Sequence, residues 1–119
     1  MKDFQKLTVW QKSHRLTVGI YRATAAFPKD ELYALTSQMR RAASSIGANI
    51  AEGCCRNGDA EFGRFLYIAM GSASELENHL LLARDLGLMK LETAETMGRE
   101  ISEVKRMLAA LIRKLKADR

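Results

Sequence analysis

Seven small or apolar residues near the C-terminal end, Ala94, Met97, Ile101, Val104, Leu108, Leu111 and Leu115, recur at alternating steps of three and four. That spacing draws a seam along a helix, and a neighbouring helix crossing near +20° is what buries such a seam well. Phe62, Leu66, Ala69, Ala73, Leu76, Leu80 and Ala83 repeat the pattern upstream. Met39, Ala43, Ile46 and Ile50 share the inner face of another helix, and Val9, Trp10, Ser13, Thr17, Ile20, Tyr21 and Thr24 mark that of a fourth. Four amphipathic helices with one proline among 119 residues predict an all-α fold, an antiparallel up-down four-helix bundle.

The breaks fall where backbone chemistry puts them. Phe27-Pro28-Lys29-Asp30 interrupts the first helix, because proline lacks an amide proton and disfavours helix at the residue before it. Arg56-Asn57-Gly58-Asp59 supplies the next break, with Gly58 free to take positive φ and Asp59 placed to cap. Gly87 ends the third helix. The predicted helices are residues 8–26, 32–55, 60–86 and 92–116 of a single domain, joined by loops short enough to force antiparallel neighbours.

The third helix carries more apolar surface than one seam uses. Phe65, Ile68, Leu81 and Leu82 fall outside its stripe, and Leu80 to Leu82 alone span about 200° at 100° per residue. A helix apolar on two faces is buried on two faces, as either a central helix or a subunit interface, and the interface is the expectation for a domain of this size. The second helix is unusual in another way. Gln38, Ser45 and Glu52 recur every seven residues, flanked by Arg41, Asn49 and Arg56. This polar ladder suits a network at a helix seam, with Arg41 pairing Glu75 of the third helix and Gln38, Asn49 and Ser72 satisfying the rest.

Catalytic and metal chemistry find little purchase. Di-metal bundles need Glu-x-x-His at i, i+3 on two helices, whereas Glu75 and His79 stand four apart and His14 has no such partner. The serines lie within helical patterns, and none sits in a G-x-S-x-G turn. Gly71-Ser72 lies in a helix and cradles no phosphate. Adjacent Cys54 and Cys55 point about 100° apart on a helix, which strains a mutual disulfide. They read as two half-buried thiols in a reducing compartment. No catalytic residue, cofactor or metal is expected, and the chain reads as a non-enzyme. The sequence opens without a signal-peptide core, and no window has the roughly 18 uninterrupted apolar residues of a membrane span. A cytoplasmic protein without membrane attachment is the expectation.

The polar ladder is also where a family shows itself. The chain resembles the bacterial four helix bundle proteins linked to intervening sequences in 23S rRNA genes. Trp10-Gln11-Lys12-Ser13, Tyr21, Phe27-Pro28 and Glu31 before Leu35 open the match. Ser37-Gln38-Met39-Arg40-Arg41-Ala42-Ala43, Ser45-Ile46 and Asn49-Ile50-Ala51-Glu52-Gly53 are its most specific part. Arg56, Phe62, Phe65-Leu66, Ala69, Gly71-Ser72 and Glu75-Leu76-Glu77 continue it. Gly47, where family members often carry proline, and Cys54-Cys55 depart from the pattern. The resemblance implies a bundle assembled into a homopentamer ring. It extends more distantly to the accessory bundle proteins of diversity-generating retroelements, which bind a reverse transcriptase and nucleic acid. It carries over no catalytic residue.

Charge gives the functional expectation. Nineteen Lys and Arg against fourteen Asp and Glu leave +5, and five copies would multiply that into a field able to attract a polyanion. Lys12, Arg15, Arg22, Arg40, Arg106, Arg113 and Lys114 are the candidate nucleic-acid contacts, chosen as outward-facing bases. Exposed aromatics are not evident in the pattern, so shape and backbone recognition of RNA or DNA is expected. The rival is a protein-binding scaffold whose partner supplies the activity.

Overall fold

The computed structural model describes residues 2–118. Its helices are α1 (Thr8–Thr24), α2 (Leu35–Cys54), α3 (Asp59–Asp85) and α4 (Leu91–Ala117), with short 3₁₀ turns at Phe4–Lys6 and Lys29–Glu31. Among the described residues there is no strand, and no helix is long and apolar enough to cross a membrane.

Contacts between neighbouring helices fix the directions. Thr17 Oγ1 lies 3.0 Å from the Ala43 carbonyl and Arg40 Nε lies 2.9 Å from Thr24 Oγ1, so α2 descends as α1 rises. Ser45 and Ser72 meet near mid-helix while Gly53 lies against Phe62 and Phe65, which makes α2 and α3 antiparallel. Glu77 with Lys105 and Leu80 with Gly98 do the same for α3 and α4. Lys12 with Glu103 and Gly19 with Met97 close the ring from α1 to α4. The result is an elongated body of 46 × 22 × 20 Å.

The ends follow backbone rules, with shifts from expectation. Helix α1 stops at Thr24, two residues early, because Pro28 forbids helix at Phe27 and its own nitrogen has no proton to continue the ladder. Phe27 instead turns inward and is buried. Residues 32–34 form turns before α2, which starts at Leu35, whose amide reaches the Glu31 carboxylate at 3.4 Å. Gly58, at φ +86°, takes the cap of α3 in place of Asp59, which becomes the first helical residue. At the other end of α3, Gly87 at φ +72° donates to the Arg84 carbonyl and Leu88 to the Ala83 carbonyl, each at 3.0 Å. That double return is the Schellman arrangement a C-terminal glycine permits.

The core follows the stripes closely. All seven expected α3 residues and all four of α2 are buried. In α1 the inner stripe runs Val9, Ser13, Leu16, Ile20, Thr24, so Leu16 enters the core while Tyr21, expected inside, is half exposed. In α4, Ile112 is buried where Leu111 was expected. A straight helix drifts about 20° per heptad against a seven-residue repeat, and a four-residue step corrects it at the last turns.

Within α2, Gly53 marks the tightest approach. A Cβ added there would lie 2.9 Å from both Phe62 Cδ1 and Phe65 Cβ. Gly63 in α3 has nothing within 4 Å of an added Cβ. We therefore expect Gly53→Ala to destabilise the protein by about 1–3 kcal/mol through overpacking. Gly63→Ala should stabilise by about 0.5–1 kcal/mol through helix propensity. Urea unfolding of the two variants decides both signs.

Candidate nucleic-acid interface

The polar ladder of α2 resolves into separate local contacts. Asn49 Nδ2 donates to the Ser45 carbonyl at 2.8 Å and to Ser45 Oγ at 3.0 Å. Ser45 Oγ lies 2.9 Å from Ser72 Oγ, linking α2 to α3. Glu52 pairs with Arg56 at 2.6 Å one turn along the same surface. Glu75 lies 3.3 Å from His79 Nε2, also one turn away. The expected Arg41–Glu75 pair does not form, and the exposed side chains of Gln38 and Arg41 make no hydrogen bond among the described residues. Both partners stand in water, where an ion pair is worth at most about 1 kcal/mol, and Glu75 has a nearer partner on its own helix. His79 is largely buried, and its Nδ1 has no partner. His14 is exposed and stacks on Trp10 at 4.8 Å.

Of the seven candidate bases, six gather on α1 and α4, which pack side by side. Lys12 forms an ion pair with Glu103 across that seam. The hydrogen bond from Lys12 holds the half-exposed Glu103 carboxyl below its usual 4.5, with the charges of Lys12, Arg106 and Arg15 assisting and desolvation opposing. On its other side, Glu103 lines a depression with Glu77, Glu95, Glu100, Arg99 and Arg106. Arg22 lies farther along α1 in a shallow depression with Lys90 and Thr93. Arg113 and Lys114 are exposed on the last turns of α4.

Charge is strongly divided along α4. Its first half carries Glu92, Glu95, Glu100 and Glu103 against Arg99 alone. Its second half, from Lys105 to Ala117, carries Lys105, Arg106, Arg113, Lys114 and Lys116 without an acid. This polarity complements the helix dipole, and it concentrates free positive charge at one end. Lys105 turns to Glu77 at 3.0 Å and Lys116 to the Tyr67 ring at 5.2 Å.

Arg40 departs from expectation. Its Nε donates to Thr24 Oγ1 at 2.9 Å and its Nη2 to the Tyr21 carbonyl at 3.2 Å, with the guanidinium 4.8 Å from the Tyr21 ring centre. The side chain satisfies a carbonyl at the end of α1, so it stands apart from the other six. The aromatic expectation also changes. Tyr33 is 93% exposed, Tyr67 51% and Tyr21 45%. Tyr33 sits in a turn, where no helical period betrays which way a side chain faces.

The thiols differ from each other. Cys54 is buried and Cys55 exposed, because successive helical residues face about 100° apart. Burial raises the Cys54 pKa above 9.0, opposed by the Lys2 charge. Among the described residues, no three His, Cys, Asp or Glu side chains gather as a metal site.

Fold and surface together define a four-helix bundle with a basic end on α4, a set of bases on α1 and exposed apolar side chains on α3. Residues 5–110 match the family described as 23S rRNA-intervening sequence protein, and the chain belongs to that family. A similar solved structure is a protein with unknown function from the S23 ribosomal protein family of Bacteroides thetaiotaomicron, 28% identical, at a TM-score of 0.80. That likeness covers 88% of this chain and 98% of the other. No curated protein matches the chain.

Two outcomes test this geometry. Because the Glu103 pKa is depressed, the stabilisation from the Lys12 pair is complete above 4.5 and is lost as pH falls through the lower folded value. Lys12→Gln should return Glu103 toward 4.5 in an NMR titration. It should lower the thermal midpoint only above that range, and less at high salt. Iodoacetamide should alkylate Cys55 in the folded protein and reach Cys54 only on unfolding; equal rates by mass spectrometry would contradict the burial.

Proposed function

We propose that the protein is a non-enzymatic homo-oligomer, a ring-shaped pentamer, that binds RNA through phosphate contacts from its α1/α4 face. The observation that carries this is the acid-free end of α4, where Arg113 and Lys114 are exposed, together with the bases Lys12, Arg15 and Arg22 of α1, a helix without an acidic residue. Unbalanced bases on one face are the electrostatic footprint of a polyanion site. The family's link to 23S rRNA genes points the same way.

Support for assembly comes from α3. Ile68, Leu81 and Leu82 are each more than 40% exposed, although they belong to the most apolar helix of the chain. Gly71 lies among them with nothing within 4 Å of an added Cβ. A glycine in a helix interior costs about 1 kcal/mol relative to alanine, and no packing inside the subunit requires it. An approaching helix from a second copy gives both features a purpose. The same exposed side chains also suit a protein-binding scaffold, with assembly geometry as its contribution.

Light scattering should return a mass five times the 13.3 kDa chain. Ile68→Glu combined with Leu82→Glu should return a monomer of unchanged helicity. Anisotropy titrations against structured RNA and a matched DNA duplex should show binding that persists at physiological salt. Replacing Arg113 and Lys114 by Gln should weaken binding evenly across sequences and reduce the log–log salt slope by about 2. Loss of binding to both ligands at physiological salt would instead favour the scaffold.

A further inference from the structure

We propose that the depression between the end of α1 and the start of α2 receives one unpaired nucleotide of an RNA strand. This rests on the RNA reading above and adds what that reading lacks, a contact to a base. The lining includes Tyr21, Leu32, Tyr33, Thr36, Arg40 and Arg41, and none of the lining residues is acidic. Glu31, the nearest acid in sequence, is turned to the Leu35 amide.

Each group matches a part of a nucleotide. Tyr33, at 93% exposure, keeps its ring almost free of protein contact, so a base can stack on it, as every base offers a π-face. The Arg41 side chain is exposed, and its guanidinium makes no ion pair or hydrogen bond among the described residues, which leaves its planar fork for a phosphate. Arg40 is held rigidly against Tyr21 by its bonds to Thr24 and the Tyr21 carbonyl. It forms a charged wall that needs no ordering when a ligand arrives. Beneath lies Thr36, 3% exposed, whose Oγ1 has no hydrogen-bond partner. Buried hydroxyls are ordinarily paired, and a χ1 rotation that brings this hydroxyl to the floor of the depression would let the edge of a base or a ribose hydroxyl supply the missing partner. A paired base is stacked inside its duplex and cannot reach Tyr33, so the strand must be single at this point.

The site lies at the opposite end of the bundle from Arg113 and Lys114, which allows the two contacts to be separated. A fluorescein-labelled oligouridylate and a blunt duplex RNA are titrated at physiological salt with the wild type, Tyr33→Ala, Tyr33→Trp and Arg41→Gln. Tyr33→Ala should weaken the single strand about tenfold, while Tyr33→Trp keeps its affinity. Arg41→Gln should weaken it and lower the salt slope by about 1. Duplex affinity should be unchanged in all three. Since Tyr33 contributes nothing to the core, its replacement leaves helicity intact. Wild-type affinity of Tyr33→Ala for the single strand would overturn the site and leave the RNA reading standing. Failure of the wild type to hold either RNA would remove that reading and this site with it. A co-purifying protein lost on Tyr33→Ala, with RNA affinity unchanged, would overturn the site in favour of protein docking.

Discussion

The close approach of α2 to α3 is the constraint on which the remaining packing depends. Gly53 has no side chain, and Phe62 and Phe65 fill the space one would occupy. Farther along, Ala43 and Ile46 of α2 and Ala69 and Ala73 of α3 are fully buried, so the small alanines keep the helices near. The Ser45–Ser72 contact then spans a gap short enough for two hydroxyls. With that pair set, α1 and α4 take their places by the same logic of small against large. Trp10 lies over Gly47, and Leu80 faces Gly98. Interiors packed to crystal density transmit such a constraint, since a shift at one contact has no void to absorb it.

What was legible in the sequence depended on whether a side chain's direction is set by period or by context. Phe62 through Ala83 were readable because seven positions at one spacing leave no second way to bury them. Leu111 was misplaced because a strict heptad and a straight helix part company after several turns. Leu16 was missed and Tyr21 wrongly placed inside because they lie on opposite edges of the α1 stripe, about 140° apart, and the true stripe centre is rotated toward Leu16. Arg41 and Glu75 were a plausible pair by register, but register says nothing of exposure, and in water the partner one turn away wins. Tyr33 had no period at all, and its outward ring became visible only with the backbone of the turn.

Magnitudes separate what holds the fold from what shapes its surface. The ion pairs Arg56–Glu52, Arg64–Glu61 and Lys105–Glu77 are all partly or largely exposed, worth at most about 1 kcal/mol each. One buried leucine contributes about 1.5–3 kcal/mol relative to an exposed one. Stability is therefore a property of the apolar seams, and the charges are free to serve another purpose. Lys12, Lys105 and Arg56 spend much of their charge on acids within reach. The unbalanced remainder lies at the last turns of α4 and on the outer side of α1.

The arrangement of helices decides whether assembly and charge compete. Neighbouring helices α1 and α2, α2 and α3, α3 and α4, and α4 and α1 touch, while α1 and α3 do not. Helix α3 is thus diagonal to α1, which sets Ile68 and Leu82 apart from Lys12 and Arg15. Copies that meet through α3 leave the α1 surface in solvent. The price of self-repulsion between like-charged subunits is kept low by distance and by salt screening over about 8 Å. Several weakly charged faces displayed on one body would then engage one polyanion together, and each contact after the first is made at high effective concentration. On the proposed assembly, a chain of only +5 would gain through repetition what it lacks in charge density, which is why the exposed side chains of α3 and the bases of α1 and α4 belong to one proposal.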